Sequence, residues 1–271
     1  MRAITLVVLS ALTAFVAPAK SPAEEVYPSR VVRIVVPYPA GGGTDTLARL
    51  LADQLSRKWG QAAIVENIGG AAGNIGASEV ARTTPDGYTL LLSSPGPIAT
   101  NSFLYKEMGY DPARWVPIAL LATGPYVLVL RTSFEGSTVA DLIAGHVDMM
   151  FDTPTTSLPL HRDGKVKIVA VGTTERVREL AEIPTLAESG LPGYRAVTWY
   201  AMVAPPQTPA TLADRINRDV VDVLARPDVA EKVRGIQMEP VTKTRADAAQ
   251  FFLEETELWG KVIKQANIPL Q

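Results

Sequence analysis

The chain has 271 residues, 47 % of them apolar and 20 % charged, the composition of a folded globular protein rather than a disordered one. Its formal net charge of −2 leaves no basic footprint for nucleic acid. With no cysteine and only His146 and His161 as histidines, disulfides, thiolate nucleophiles, cysteine-ligated metals and an HExxH zinc helix are excluded.

Met1-Arg2 supplies a short positive segment, and an apolar run follows from Ala3 to Ala17. Small residues close it at Ala17-Pro18-Ala19 and Ser21-Pro22-Ala23. That order predicts a cleavable export signal over residues 1–23, because the run is too short to span a bilayer. No later stretch is long and apolar enough to cross a membrane, so the mature protein is expected to be soluble.

Val31–Val36 reads as a buried strand ended by Pro37. Thr44–Trp59 reads as a helix: Leu47, Leu50, Leu51 and Leu55 form an apolar stripe, Thr44 can cap the start and Gly60 supplies a stop. Ala62–Glu66 is a second strand, Asn74–Arg82 a helix and Thr89–Ser93 a third strand. Strand, glycine loop and helix, twice repeated, predict a parallel sheet flanked by helices. Further on, Trp115–Leu121 and Tyr126–Leu130 read as strands separated by a turn at Gly124-Pro125. Thr138–Ala144 is a short helix candidate, Met149–Asp152 and Val166–Val171 are strands, and Thr153–Arg162 can be helical despite Pro154 and Pro159. Ala196–Val203 is strand-like, and helices follow over Pro209–Leu224, Pro227–Arg234 and Arg245–Ala266, with Pro209 and Pro227 suited to first helical positions. Two crossovers between lobes are expected, near Ala122–Tyr126 and Trp199–Ala204.

The most informative segment is Pro37-Tyr38-Pro39-Ala40-Gly41-Gly42-Gly43-Thr44-Asp45, with its consecutive glycines between a strand end and a helix start. Glycine lets a ligand touch the backbone, and the helix start offers unpaired N–H groups in a positive dipole field. Together these predict an anion pocket that needs no basic side chain. Asn67-Ile68-Gly69-Gly70-Ala71-Ala72-Gly73-Asn74-Ile75-Gly76 repeats the arrangement, and both loops are expected at the same carboxyl edge of the sheet, with Ser93-Ser94-Pro95-Gly96 adding hydroxyls. A P-loop, a G-x-G-x-x-G fingerprint and a G-x-S-x-G elbow are all absent. The two histidines read as surface or half-buried residues, Asp152 as either a ligand contact or a helix cap, and Trp199 and Tyr200 as core or hinge packing. No base, nucleophile or metal assembles, so the protein is expected not to be an enzyme and to need no cofactor.

The first glycine loop with Ala48-Arg49 resembles the first ligand loop of the substrate-binding receptors of tripartite tricarboxylate transporters, the Bug receptors. The second loop, Pro85-Asp86-Gly87-Tyr88-Thr89-Leu90, Gly145-His146-Val147-Asp148-Met149-Met150-Phe151-Asp152, and Ile183-Pro184-Thr185-Leu186-Ala187-Glu188-Ser189-Gly190-Leu191-Pro192-Gly193 are similar to that family in the same order. The resemblance implies a periplasmic, two-lobed α/β binding protein with parallel-rich sheets, lobe one over 24–123 and 200–271 and lobe two over 124–199; a monomer is expected. It implies a small carboxylate ligand passed to membrane transporter subunits, with contacts from Tyr38, Ala40, Gly41, Gly42, Gly43, Thr44, Asp45, Ala71, Ala72, Gly73, Asn74, Ser94 and Asp152. Compared with that family, a strand–helix–strand segment between Leu130 and Gly145 is missing, so lobe two is expected to be shortened. A sensor that reports the ligand to a membrane partner, a remnant that binds nothing, and, behind these, an enzyme acting on a small carboxylate are the alternatives.

Overall fold

Val32–Val36 forms strand β1, in which every residue except Arg33 is completely buried. A strand buried on both faces needs helices on both sides. The computed structural model, which describes residues 27–135 and 147–271, supplies them. The expected signal segment, the helix expected over 138–144, and His146 lie outside the described residues.

Helix α1 (Gly43–Trp59) lays Leu47, Leu51 and Leu55 against one face, each fully buried and worth about 2 kcal/mol in burial. Strand β2 (Ala63–Asn67), helix α2 (Asn74–Ala81) and strand β3 (Thr89–Ser93) follow. Ala77 and Val80 of α2 cover the opposite face. Strand β4 (Val116–Pro125) runs almost directly into β5 (Val127–Glu135). Beyond lie β6 (Val147–Asp152), α3 (Pro154–Arg162) and β7 (Val166–Val171). Strand β8 (Val197–Ala204) returns to the first sheet, and α4 (Ala210–Leu224), α5 (Pro227–Gly235), β9 (Glu239–Pro240) and α6 (Arg245–Gln265) complete the chain.

The first sheet has the order β2-β1-β3-β8-β4-β9 and the second β6-β5-β7. Among the described strands, parallel ladders are confined to β2-β1-β3, the strands that carry the glycine loops; beyond them there is one isolated parallel bridge, Val171 to Thr185. The expected parallel-rich character does not extend to the rest: β3–β8, β8–β4 and β4–β9 are antiparallel, and so are both pairs of the second sheet. The reason is topological. The chain leaves the first sheet along β4 and comes back along β8, so these neighbours must run in opposite directions. In the second sheet β6 and β7 flank β5, parallel to each other and joined over it by α3.

Three local expectations change. Gly124-Pro125 is not a turn: β4 continues through both residues, which pair with Thr198 and Val197 of β8. Thr44 does not cap α1; the N-cap is Gly42, without a side-chain hydrogen bond. Pro209 occupies the N-cap of α4 rather than its first turn, whereas Pro227 does open α5. Helix α6 begins with a capping box between Thr244 and Asp247.

The two sheets meet where three chain segments are tied into a ring. Gly172 N–H donates to Tyr126 O at 2.7 Å, Tyr126 N–H to Ala196 O at 3.2 Å, and Ala196 N–H to Gly172 O at 2.7 Å. Gly172 is required by this close approach, since a β-carbon there would stand 2.5 Å from the Ala196 carbonyl oxygen.

Candidate functional site

The first glycine loop leaves β1 and enters α1. Thr46 N–H is the first helical donor to find a carbonyl, that of Gly42 at 2.9 Å. The N–H groups of Gly43, Thr44 and Asp45 before it have no backbone acceptor within the helix, and the helix dipole adds its positive end at the same place. This is an anion-binding terminus built from backbone alone.

That terminus faces a cavity of about 260 Å³ between the two sheets. Tyr38, Gly42, Gly43, Thr44, Asp45, Ser94 and Asp152, all expected from the sequence, line it. Pro39, Tyr126, Thr153, Thr156, Thr198 and Tyr200 complete the lining. The volume is at the low end for ligand sites, which selects for a small molecule. The rim is rich in hydroxyls. Tyr38 Oη accepts from Ser94 Oγ at 2.8 Å, and a methyl on Gly43 would lie 3.0 Å from Tyr200 Oη. Burial pushes the phenols of both Tyr38 and Tyr200 up from their ordinary pKa, so both remain neutral donors at physiological pH.

Asp152 ends β6. Its carboxylate accepts hydrogen bonds from Ser157 Oγ and, at 3.2 Å, from Thr156 Oγ1. Thr153, not Asp152, is the N-cap of α3. Asp152 therefore anchors the first turn of α3 and also presents a carboxylate to the cavity. One hydrogen bond joins this helix to the other side: Thr155 Oγ1 donates to Ile236 O at 2.7 Å, bridging α3 and the turn after α5.

Asp45 is only 3 % exposed, and its carboxylate is already engaged. It accepts from Gly41 N–H at 2.9 Å, Arg49 Nε at 3.0 Å and Asn67 Nδ2 at 2.9 Å. Burial pushes its pKa up, but the bonds from Arg49, Gly41 and Asn67 outweigh that and hold it below the usual carboxylate range.

Ala40, Gly41, Ala71, Ala72, Gly73 and Asn74 do not line this cavity. Gly41 faces a neighbouring crevice with Thr46, Pro154 and Thr155. Ala71 and Asn74 line an outer groove with Ile75, Ser78 and Arg82. The second loop stands beside the first: Gly73 packs against Pro37 and Pro97, and Gly96 approaches both Tyr38 Oη and Ala72 O. Its backbone is unusual, since Ala71 and Ala72 have φ of +47° and +51° between Gly70 at +122° and Gly73 at +92°. Left-handed alanines cost about 1 kcal/mol each, so something must hold them. Asn101, 2 % exposed, does so by donating from Nδ2 to Ala72 O at 3.1 Å and Asn74 Oδ1 at 2.7 Å.

His161 is half-buried on α3 with Nδ1 3.3 Å from Ile168 N–H, away from the cavity. Trp199 is core: 1 % exposed, stacked on Phe252, its Nε1–H donating to Glu255. Tyr200, read together with it, is equally buried but turns its hydroxyl to Gly43. The remaining hydroxyls of the rim carry no local sequence pattern; only the proximity of Tyr126 and Tyr200 to the expected crossovers points to them.

A crevice between two α/β sheets, floored by a helix N-terminus, defines a two-lobed solute-binding protein. The family profile described as tripartite tricarboxylate transporter family receptor matches residues 47–144 and 133–268. The chain belongs to that receptor family. The two matches share residues 133–144, where the missing segment was expected. A protein from Pseudomonas sp. strain P51, encoded in the tcbD-tcbE intergenic region, is 30 % identical over 298 aligned positions, covering 90 % of this chain and 88 % of the relative. The alignment is longer than this chain of 271 residues, so the relative carries residues that have no counterpart here. A Rhodopseudomonas palustris protein solved with adipate is 32 % identical, with a TM-score of 0.85 over 90 % of this chain and 100 % of that one. The malate-bound MatC of Rhodopseudomonas palustris is 27 % identical, with a TM-score of 0.79 over 88 % of this chain and 100 % of that one.

Proposed function

We propose that this protein is a periplasmic receptor that captures a small carboxylate in the cavity between its lobes and hands it to a tripartite tricarboxylate-type membrane transporter. The observation that carries this reading is the row of unpaired N–H groups at Gly43, Thr44 and Asp45, aimed into a cavity rimmed by neutral hydroxyls. One carboxylate of the ligand sits on that row, with Tyr38 and Tyr200 donating around it and Ser94, whose proton goes to Tyr38 Oη, orienting that phenol. The second glycine loop, Ala71–Asn74, reaches the ligand through ordered water and shapes the wall behind Tyr38.

At the far end, Asp152, Thr153 and Thr156 offer oxygen acceptors and hydroxyl donors to the rest of the ligand. Adipate and malate in the similar structures are ligands of this size class. The protein works by binding and release, without chemistry of its own. The lobes meet at the boundaries 123/124 and 199/200, beside the backbone ring of Tyr126, Gly172 and Ala196, and that ring is the hinge.

Thermal unfolding against a panel of small mono-, di- and hydroxycarboxylates tests the reading. A ligand at about 100 times its Kd adds roughly 2.7 kcal/mol, or ~5–10 °C for a chain of this size. A cooperative transition that no carboxylate raises would favour the remnant that binds nothing.

A further inference from the structure

Asn67 is the last residue of β2, directly before the second glycine loop, and its side chain crosses to the first. Its Nδ2 donates to Tyr38 O at 3.1 Å and to Asp45 Oδ1 at 2.9 Å. Its Oδ1 accepts from Arg49 Nη2 at 2.8 Å, and Arg49 also meets Asp45 at 3.0 Å. Asp45 in turn holds Gly41 N–H at 2.9 Å. Every polar atom of the Asn67 amide group therefore serves the first loop, while its backbone starts the second.

This arrangement also manages charge. An ionised Asp45 sits in the first turn of the helix whose N-terminus receives the carboxylate ligand, where an uncompensated negative charge would oppose binding. Arg49, one turn along, offsets it, and Asn67 keeps carboxylate and guanidinium together by bonding both. The carboxylate of Asp45 is saturated by these partners, so its side chain acts on the ligand only by placing the backbone donors around it.

We propose that Asn67 is a positioning residue that couples the two glycine loops: with Asp45 and Arg49 it locks the first loop into its donor geometry and ties that geometry to the start of the second. The proposal deepens the carboxylate-receptor reading and rests on it for its effect on affinity. It does not rest on it for its effect on the loops.

The test compares wild type, Asn67→Ala and Asn67→Gln by peptide-resolved amide hydrogen exchange and by titration with adipate and malate. In Asn67→Ala, residues 38–45 and 68–76 exchange faster while α4 keeps its protection, and affinity falls about tenfold, the effect of losing hydrogen bonds to a charged group. Asn67→Gln, which keeps the amide, recovers part of both. A purely structural role would instead loosen α4 along with the loops and would not be rescued by glutamine. Unchanged exchange over 38–45 in Asn67→Ala overturns the proposal. If adipate and malate leave wild type unmoved, the carboxylate reading fails for these ligands, and the exchange data still decide whether Asn67 couples the loops.

Discussion

Gly42 and Gly43 are neighbours with different duties. Gly42 has φ of −77° and nothing within 4 Å of where a β-carbon would stand, so its value is the open space above it. Gly43 is hemmed in, since a β-carbon would meet Tyr200 Oη and the Met238 methyl at 3.0 Å each. The sequence shows both as members of one glycine run, and nothing local separates them. Asp45 is the sharper case. As a carboxylate in a ligand loop it reads as a contact, but besides Gly41 and Arg49, four residues to either side, it is held by Asn67, 22 residues away and beyond the reach of any local pattern. Its depressed pKa has a stability consequence. Between the folded and unfolded values the unfolded chain binds more protons, so the contribution is complete above the unfolded pKa of about 3.9 and is lost as pH falls through the folded value. Asn at this position cannot titrate. The Asp45→Asn protein should therefore lose less stability than wild type between pH 7 and pH 3, measured by urea unfolding at each pH.

At the scale of elements, most strands were legible because each is an apolar, β-branched run bounded by glycine or proline. Thr89–Ser93 and Val166–Val171 match their expected bounds, and β1 and β2 differ by a single residue at one or both ends. Gly124-Pro125 misled because that pair usually breaks a strand, whereas here it lies at the far end of β4, where little of the ladder remains to be lost. The left-handed alanines of the second loop were also hidden, since alanine carries no signature for that conformation. The element that holds them, the turn around Asn101, carries no local sequence pattern that marks this duty. Asn101→Ala removes the donor to Ala72 O and one of the two donors to the buried Asn74 Oδ1, the other being Tyr110 Oη at 3.0 Å. The expected cost is about 1–3 kcal/mol of unfolding free energy, with faster exchange in residues 70–74. Equal stability of the variant would show that the loop is held by packing against Pro37 and Pro97 instead.

For the whole molecule, the two sheets are joined at a ring of three backbone hydrogen bonds, the proposed hinge, whose geometry depends on the absence of one β-carbon. Gly172→Ala places a methyl 2.5 Å from the Ala196 carbonyl oxygen, so the ring must spread. The expected result is a larger radius of gyration for the ligand-saturated protein in X-ray scattering and weaker carboxylate binding, because lobe closure is no longer complete. The second sheet is small for a lobe: among the described residues it has three strands, β6-β5-β7, and Met149 and Phe151 of β6 are 60 % and 46 % exposed. The shortened lobe was legible as a gap against the resemblance. The antiparallel order of its strands was not, because strand direction depends on how the chain returns and not on any local residue. Even so, α3 carries Asp152, Thr153 and Thr156 to the cavity and Thr155 to Ile236, so the shortened lobe still supplies one wall of the site.

The proposed receptor holds its carboxylate on the start of α1. Calorimetric titration of wild type and Gly42→Val, side by side, with the small carboxylate that most raises thermal stability, tests it most directly. The valine fits the backbone and costs about 1 kcal/mol or less of stability through the poorer cap, while its side chain occupies the space above the N–H row. Wild type should bind one carboxylate per chain, and Gly42→Val should give no heat at the same concentrations while unfolding within a few degrees of wild type. Binding of equal strength to both proteins would place the ligand away from the start of α1.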